Sequence, residues 1–359
     1  GKDILRFHAI YWPAFLLSAG IEPPTQVWAH GWLTINGQKM SKRFGNFIPP
    51  GPLVDAFGVD VVRYYLMREV GFGQDGDFAH KHVLGRYNGE LANGLGNLLN
   101  RMVTSIVRKQ LDGKVPEPGE PTEQEKALLA TAERAAAEAA EFLDLVQPHR
   151  ALEKIWELVG ETNRYVDQTA PWALAKQGEM EKLGRVAYTV LESLRWLSVM
   201  IAPFMPTKAA GLREQLGLEP LEPEVGNDQW PREWGLLEPG TQTAPGDPLF
   251  PRVHPKEQAK LYASFGLGPD GEPAPDPDAD APKEKKAKKK KKAKPLPEGC
   301  IAFDQFLAVE LKVGLVTSAE PVDGSDKLLR LEIDLGEEKL RQVLAGIRAH
   351  YAPEALVGK

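Results

Sequence analysis

The sequence is poor in cysteine, with Cys300 as its one thiol among 359 residues. One thiol cannot form a disulfide within the chain or a zinc site of clustered cysteines. We therefore expect no metal ligands in this chain and a reduced, cytoplasmic setting. Long apolar runs are also missing: the longest, around residues 9–19, is interrupted by Pro13. It is shorter than the roughly 20 residues that cross a bilayer, so we expect no membrane-spanning segment.

The chain also lacks an initiator methionine and a signal-peptide pattern, since it begins Gly1-Lys2-Asp3. We therefore expect it to be a part of a longer polypeptide. The net charge of −6 hides an uneven distribution: residues 282–294 hold nine lysines and one glutamate, and residues 269–280 hold five acidic residues among four prolines. Such stretches cannot bury enough apolar surface to fold. They predict a linker over residues 220–297, with folded material on both sides.

Hydrophobic patterning before this linker indicates two kinds of structure. Residues 4–19 predict an apolar helix, residues 26–35 a strand, and residues 53–68 a second helix. Asn36-Gly37 is a strong signal for a type I′ turn. Together these elements are typical of the final part of an α/β layer and a connector.

From about residue 83 to residue 217, apolar residues recur at three- and four-residue spacing, which predicts a helical bundle. Thr122 and Glu125 form a capping-box pattern at one helix start. Beyond the linker, residues 308–333 alternate loosely and predict short antiparallel strands.

Two lysines three residues apart, Lys39 and Lys42, follow the predicted turn in the string KMSK. Mobile ammonium groups on a loop suit the negative charge that develops in phosphoryl or nucleotidyl transfer. A solvated lysine loop is the alternative.

A second pattern lies on the first bundle helix, where Asn93, Asn97 and Arg101 recur every four residues. At about 100° per residue they fall within an arc of about 80°, beside a separate apolar stripe. A solvated polar face is one interpretation. Amide and guanidinium groups can also read unstacked bases, which makes RNA binding the other.

These motifs stand in strings that resemble a known family. The strings GKDILRFHAIYWPAFL and HGWLTINGQKMSKRFGNFI resemble class I aminoacyl-tRNA synthetases, whose KMSKS loop reads KMSKR here, and more narrowly bacterial methionyl-tRNA synthetases. The resemblance runs from Gly1 to about Met205 and resumes at Ile301, where FDQFLAVELKVGLV is similar to the family's OB-fold tRNA-binding appendage.

The resemblance implies roles for the loop and the residues around it. Lys42 would contact the phosphates of ATP, and Lys39 and Arg43 would help to stabilise the departing pyrophosphate. The residues that would hold the adenosine are Asp3, His30 and Leu33.

The resemblance also implies a methionine pocket on the first helix. Aromatic and apolar walls with one polar group suit a polarisable thioether. The implied wall consists of Ile4, Phe7, His8 and Tyr11. For His8, the alternative is a place on an aromatic-rich core face.

On the bundle, the family's anticodon-reading helix carries the same Asn93, Asn97 and Arg101 spacing, and a Pro-Trp pair, here Pro171-Trp172, stacks on an anticodon base. For Trp172, the alternative is a core aromatic.

The fold class that follows is α/β, a partial Rossmann-like nucleotide-binding domain, followed by an all-α anticodon-binding bundle and a partial β OB-fold. The predicted regions are the end of the catalytic domain (1–50), a connector that contacts the tRNA stem (51–82), the anticodon-binding domain (83–219), the linker (220–297) and the partial OB-fold (298–359).

The implied function is that of a methionine–tRNA ligase, which attaches methionine to tRNA(Met) through methionyl-adenylate. ATP with Mg²⁺ would be a substrate, zinc would belong to the longer family members, and the OB-fold would support a homodimer. The family's HIGH motif precedes the region of resemblance, so we expect this polypeptide alone to lack adenylation activity. The alternatives are a non-catalytic tRNA-binding or assembly fragment and a class I synthetase for another apolar amino acid.

Overall fold

The computed structural model describes residues 1–41, 47–222, 229–269, 271 and 312–359. The chain divides into two compact units, Gly1–Ala279 and Asp280–Lys359. Within the described ranges, no helix combines the length and the apolarity that crossing a bilayer requires.

The first unit begins with the predicted apolar helix. A 3₁₀ turn (Lys2–Ile4), π-helical turns (Phe7–Tyr11) and helix α1 (Trp12–Ser18) follow one another without a break. Gly20, at φ +70°, ends this segment in a conformation that favours glycine. The prediction of a helix over residues 4–19 is confirmed.

The prediction of a strand over residues 26–35 is wrong for most of its length. Strand β1 covers Leu33–Ile35 and pairs with β2 (Gln38–Lys39) antiparallel and with β3 (Gly76–Asp77) parallel. Ahead of β1, Gly31 lies so close to the neighbouring backbone that a Cβ there would be 1.9 Å from the carbonyl oxygen of Gln74. Side-chain alternation cannot reveal such a long-range contact.

The turn between β1 and β2 is as predicted. Asn36 and Gly37 have φ values of 52° and 73°, the two positive angles of a type I′ turn, and Ile35 pairs with Gln38. The predicted helix over residues 53–68 is present as two helices, α2 (Pro50–Phe57) and α3 (Val59–Glu69), because Gly58 interrupts it at φ +82°.

The bundle starts with one long helical segment. Its α-helical parts are α4 (His80–Arg86), α5 (Asn97–Leu99) and α6 (Arg108–Gln110), separated by π-helical turns at Tyr87–Gly96 and Asn100–Val107. The following helices are α7 (Glu123–Asp144), α8 (Pro148–Thr169), α9 (Pro171–Gln177), α10 (Met180–Met200) and α11 (Pro206–Gln215). The predicted capping box of Thr122 and Glu125 starts α7.

The interpretation of residues 220–297 as a linker is wrong for residues 229–269. This segment folds over the bundle, ends in helix α12 (Pro255–Ser264) and contributes Leu237, Phe250 and Tyr262 to the buried core. Its apolar anchors are spaced irregularly among prolines and glycines, so no helical or strand period marks them. Residues 223–228, 270 and 272–297 lie outside the described part.

A buried carboxylate fastens this segment to α10. Glu192 has no solvent exposure, forms an ion pair with Arg195 at 2.7 Å, and accepts hydrogen bonds from the backbone N–H groups of Gly235 and Leu236. A second attachment lies at Val115, whose backbone bonds to Gly240 and Thr241. Residues 229–269 are therefore an integral layer of the bundle.

The second unit, where it is described, contains an antiparallel sheet in the order β4 (Leu315–Pro321), β5 (Leu329–Asp334) and β6 (Arg341–Ala345). A short helix, Pro353–Leu356, follows. Leu329 and Leu331 on β5 are the buried apolar side chains of the sheet. The backbone carbonyl of Lys359 accepts a hydrogen bond from the N–H of Val316 on β4. The predicted antiparallel strands after the linker are confirmed for the described residues.

Two adjacent leucines test whether residues 229–269 stabilise the bundle. Leu237 is fully buried and Leu236 is 54% exposed. Leu237→Ala should lower the free energy of unfolding by about 2–5 kcal/mol, because it leaves a cavity. Leu236→Ala should change it by about 0.5 kcal/mol or less. Urea unfolding followed by circular dichroism measures both, and equal effects would mean that the segment is a peripheral covering.

Candidate functional site

A cavity of about 670 Å³ lies beside the small sheet. Its lining includes Asp3, His30, Leu33 and Lys39, the four described residues for which the sequence predicted contacts with ATP. Asp3 comes from the first turn of the chain, and Leu33 and Lys39 from the β1–β2 hairpin. A backbone hydrogen bond of 2.9 Å from Lys2 to His30 holds the chain start against the hairpin.

Two ammonium groups lie close to the indole ring of Trp32, which lines the cavity. The ammonium groups of Lys2 and Lys39 lie 4.4 and 4.3 Å from the ring centroid, within the range of cation–π attraction. Lys39 also bonds to Asp3 at 3.1 Å, and Lys2 to Asp75 at 2.7 Å. Lys39 in the cavity lining and Lys2 over the same ring are thus two cations close together, which is an arrangement suited to a polyanion such as the phosphates of ATP.

Each carboxyl group responds to its own lysine. The hydrogen bond from Lys39 lowers the pKa of Asp3, and the hydrogen bond from Lys2, with the backbone N–H of Trp32, lowers the pKa of Asp75. The sequence analysis missed Lys2, Trp32 and Asp75. The last lies in the glycine-rich run GFGQDGD, a turn signal that could have pointed to a loop near the site.

Lys42 and Arg43, the other predicted catalytic residues, lie outside the described part of the chain. Lys39, three residues before Lys42, is the member of this group that the structure brings to the cavity.

The predicted methionine-pocket residues share the first helical segment. Phe7 and Tyr11 pack edge to face at 5.6 Å, and Nδ1 of His8 lies 3.0 Å from the carbonyl oxygen of Ile4. All four side chains are exposed. His8 is thus not buried among the described residues, and those residues do not gather these four side chains around the 670 Å³ cavity.

At the other end of the bundle, the predicted polar stripe faces outward. Asn93 and Asn97 are exposed and Arg101 is half-buried, whereas the intervening apolar stripe is buried, as predicted, at Leu91, Leu95, Leu98 and Met102.

Trp172 lies against this stripe. Its ring is 49% exposed, and the guanidinium carbon of Arg101 lies 5.1 Å from its centroid. Pro171, at the first position of α9, is buried and fixes the start of that helix. The alternative of a core tryptophan is therefore wrong, because about half of the residue is exposed.

Asp167, which the sequence analysis missed, fixes the orientation of Arg101. Its Oδ1 accepts a hydrogen bond of 2.7 Å from Nη2 of the guanidinium group. Arg101 is thus held between a carboxylate and an aromatic ring, and Trp172 remains available to stack on a ligand.

The part of the chain that the structure describes contains no group of three or more histidine, cysteine, aspartate and glutamate side chains suited to a metal ion.

Three family models match the chain in succession. Residues 1–103 match class I tRNA synthetases of the methionine type, residues 115–269 the anticodon-binding domain of methionyl-tRNA ligase, and residues 311–359 a putative tRNA-binding domain. With the cavity and the Arg101–Trp172 contact, these matches define the chain as part of the class I aminoacyl-tRNA synthetases.

Curated relatives narrow the family. The methionine–tRNA ligase of Caldanaerobacter subterraneus subsp. tengcongensis is 40% identical over 360 residues, and that of Thermotoga maritima 39% identical over 359. Each alignment covers 100% of this chain and 52% of the relative. The chain belongs to the methionyl-tRNA synthetase family and spans about half the length of the curated relatives it matches.

Solved structures agree with this assignment. Mycobacterium tuberculosis methionyl-tRNA synthetase in complex with methionyl-adenylate is 43% identical with a TM-score of 0.65, covering 70% of this chain and 49% of that chain. The free-state enzyme from the same organism gives a TM-score of 0.63 at 40% identity, covering 71% of this chain and 49% of that chain.

The two ion pairs beside Trp32, Lys39–Asp3 and Lys2–Asp75, predict separable titrations. Because Lys39 lowers the pKa of Asp3, their ion pair is complete above the ordinary aspartate pKa and is lost as the pH falls through the lowered value. Lys39→Met should raise the pKa of Asp3 and leave that of Asp75 unchanged. Lys2→Met should raise the pKa of Asp75 and leave that of Asp3 unchanged. NMR titration of the carboxyl groups measures both. If either variant moved both groups equally, the overall field of the cavity would control them instead.

Proposed function

We propose that this chain supplies the ATP loop, the anticodon-binding bundle and the tRNA-binding module of a methionine–tRNA ligase. The observation that carries the proposal is that one compact unit presents both the Asp3–His30–Leu33–Lys39 cavity and the exposed Arg101–Trp172 face. Relatives named methionine–tRNA ligase align with the whole chain.

In the first step, a carboxylate oxygen of methionine attacks the α-phosphorus of ATP. A new P–O bond forms, the bond to the bridging oxygen breaks, and pyrophosphate leaves with its negative charge. Lys42, Lys39 and Arg43 stabilise that charge as it develops. Lys39 exchanges its bond to Asp3 for a phosphate oxygen, which an exposed lysine can do at little cost because its stem is flexible.

In the second step, a hydroxyl group of the terminal ribose of tRNA(Met) attacks the carbonyl carbon of methionyl-adenylate. The ester bond to tRNA forms and AMP leaves. Much of the acceleration in both steps comes from holding the reacting groups together.

The substrates divide between neighbouring surfaces. Asp3, His30 and Leu33 hold the adenosine, the last through its backbone. The methionine side chain packs against Ile4, Phe7, His8 and Tyr11, whose exposed rings and methyl groups provide the apolar contact that a thioether needs.

The anticodon CAU binds at the other end of the bundle. Trp172 stacks on one base, while Asn93, Asn97 and Arg101 contact base edges or phosphates and Pro171 positions the ring. Asp167 supports this role by fixing the plane of the guanidinium group before RNA arrives.

ATP enters as its Mg²⁺ complex, with the metal as part of the substrate. The residues that the structure describes include no cluster suited to a resident metal, and no step of the proposal uses one. We propose the regions 1–50, 51–82 and 298–359 as predicted, and an anticodon-binding domain extended to residue 269. We also propose a homodimer through the OB-like module. We further propose a cytoplasmic setting, since a chain with one cysteine suits a reducing compartment.

Lys42→Ala tests the first step in a polypeptide that contains this chain and the remaining length of its relatives. Pyrophosphate exchange should fall by about 10²–10³-fold, because the charge acts on the leaving group. Methionine affinity should change little, because the contact forms in the transition state. Lys256→Ala, an exposed lysine on α12, is the control. A few-fold effect would reject the role of Lys42, and faster exchange with another amino acid would reject methionine as the substrate.

Trp172→Ala tests anticodon binding in the present chain. Affinity for a CAU stem-loop should fall by about ten-fold, because one stacking contact is worth about 1–3 kcal/mol. Folding stability should change little, since the ring is half exposed. Trp196→Ala, a residue only 1% exposed, should instead lower the free energy of unfolding by about 3–5 kcal/mol. Asn97→Ala should reduce the preference for CAU over other anticodons. Unchanged RNA affinity in the Trp172→Ala variant would reject the stacking role.

A further inference from the structure

A second, smaller cavity lies between α7 and α8. Its volume is about 150 Å³, and its walls include Gln124 and Leu128 from α7 and Arg164, Tyr165 and Gln168 from α8. None of these residues belongs to the anticodon-binding set, and the sequence analysis did not single out this site.

Two amide groups stand at this cavity without partners. The side chains of Gln124 and Gln168 are exposed and make no hydrogen bond to any residue in the described ranges. The charged groups at the rim satisfy each other, because Nη1 of Arg164 bonds to both carboxylate oxygens of Glu161 at 2.8 and 2.9 Å. The cavity therefore offers neutral hydrogen-bonding groups rather than a net charge.

The base of the cavity is held rigidly. The hydroxyl group of Tyr165 donates to Oε1 of Glu125 at 2.5 Å, and the backbone N–H of Thr122 donates to Oε2 at 2.8 Å. Glu125 is 5% exposed, and Arg185 lies 3.4 Å from the same carboxylate. These bonds fix the Tyr165 ring and the start of α7, so little order is lost when a ligand binds there.

The cavity adjoins the proposed anticodon face. Gln168 follows Asp167 in sequence, and Asp167 bonds to Arg101, which lies against Trp172. Consecutive helical residues differ by about 100° in direction, and a helix with side chains is about 10–12 Å across. The cavity and the proposed anticodon face thus both include residues from the last turns of α8.

The size of the cavity limits its occupant. A volume of 150 Å³ equals that of about five water molecules and lies below the roughly 300–1,000 Å³ of pockets for drug-sized ligands. One planar heterocycle fits such a space, and the mutually paired Glu161 and Arg164 leave no net charge to hold a polyphosphate. Glutamine amides pair with the adjacent donor and acceptor of adenine.

We propose that the cavity between α7 and α8 is a second base-binding site, which receives one unstacked nucleobase, adenine best, from the loop of the RNA bound at Trp172. The site rests on the proposed function, because that RNA brings the base to it. It adds a contact outside the three anticodon positions.

The test measures the affinity of the full 359-residue chain for CAU stem-loop RNAs by fluorescence anisotropy. One RNA is intact, and each of the others carries an abasic site at one loop position outside the CAU triplet. The proteins are the wild type, the double variant Gln124→Ala with Gln168→Ala, and the control Gln26→Ala, an exposed glutamine distant in sequence from both helices.

We expect one abasic position to weaken wild-type binding by roughly ten-fold. The double variant should bind the intact RNA about as weakly as the wild type binds that abasic RNA. Its affinity should not fall further with the abasic RNA, because the protein change and the RNA change remove the same contact. The Gln26→Ala protein should behave as the wild type. Melting temperatures should agree, since all three glutamines are exposed.

Two results would reject the second base-binding site. One of them leaves the proposed function standing, and the other rejects it as well. If CAU is preferred and Trp172→Ala weakens binding, yet every abasic RNA affects the wild type and the double variant equally, the second site is rejected and the anticodon face remains. If the wild type shows no preference for CAU and Trp172→Ala has no effect, the proposed function and the second site are both rejected.

Discussion

The relation between the two candidate sites depends on how α3 docks on the bundle. Asp60, buried on α3, accepts a hydrogen bond of 2.7 Å from the backbone N–H of Lys208 in the first turn of α11. One turn further on, Arg63 donates to the carbonyl oxygens of Pro203 and Phe204. Groups that a helix end leaves unpaired are thus satisfied by side chains from the connector. The α10–α11 corner and the connector consequently hold each other in place.

The same helix also reaches the first bundle segment and α8. Tyr64 donates to Glu90, and burial raises the pKa of its hydroxyl group well above the ordinary value, so Tyr64 remains a donor. Arg68 lies between Glu90 and Glu153, at 3.6 and 3.2 Å. Removing one member of such a shielded network leaves its partners uncompensated, which costs more than the intact contact contributes. The connector is therefore tied to the first bundle segment, to α8 and to the α10–α11 corner within the same compact unit.

Local chemistry made some elements predictable from the sequence and left others hidden. The Asn36-Gly37 turn and the Thr122 capping box follow from a few adjacent residues, and the stripe of Asn93, Asn97 and Arg101 follows from helical spacing. The rest depends on contacts between distant parts of the chain. Asp167 meets Arg101 across 66 residues, and the anchors within residues 229–269 have no period. Sequence patterns indicated candidate site residues, and tertiary contacts determined which of them meet.

Both candidate sites contain the same arrangement, in which a cation lies between a tryptophan ring and a carboxylate. The cation is a lysine at one site and an arginine at the other. At the cavity, Lys39 lies over Trp32 beside Asp3, and at the bundle Arg101 lies over Trp172 beside Asp167. A lysine is a mobile point charge, which can leave its carboxylate to follow a departing phosphate. An arginine is planar and keeps its orientation when one edge is bonded, so it can present a fixed edge to a base. The difference between a transferable charge and a fixed plane matches the difference between the two proposed roles, nucleotidyl transfer at the cavity and base recognition at the bundle.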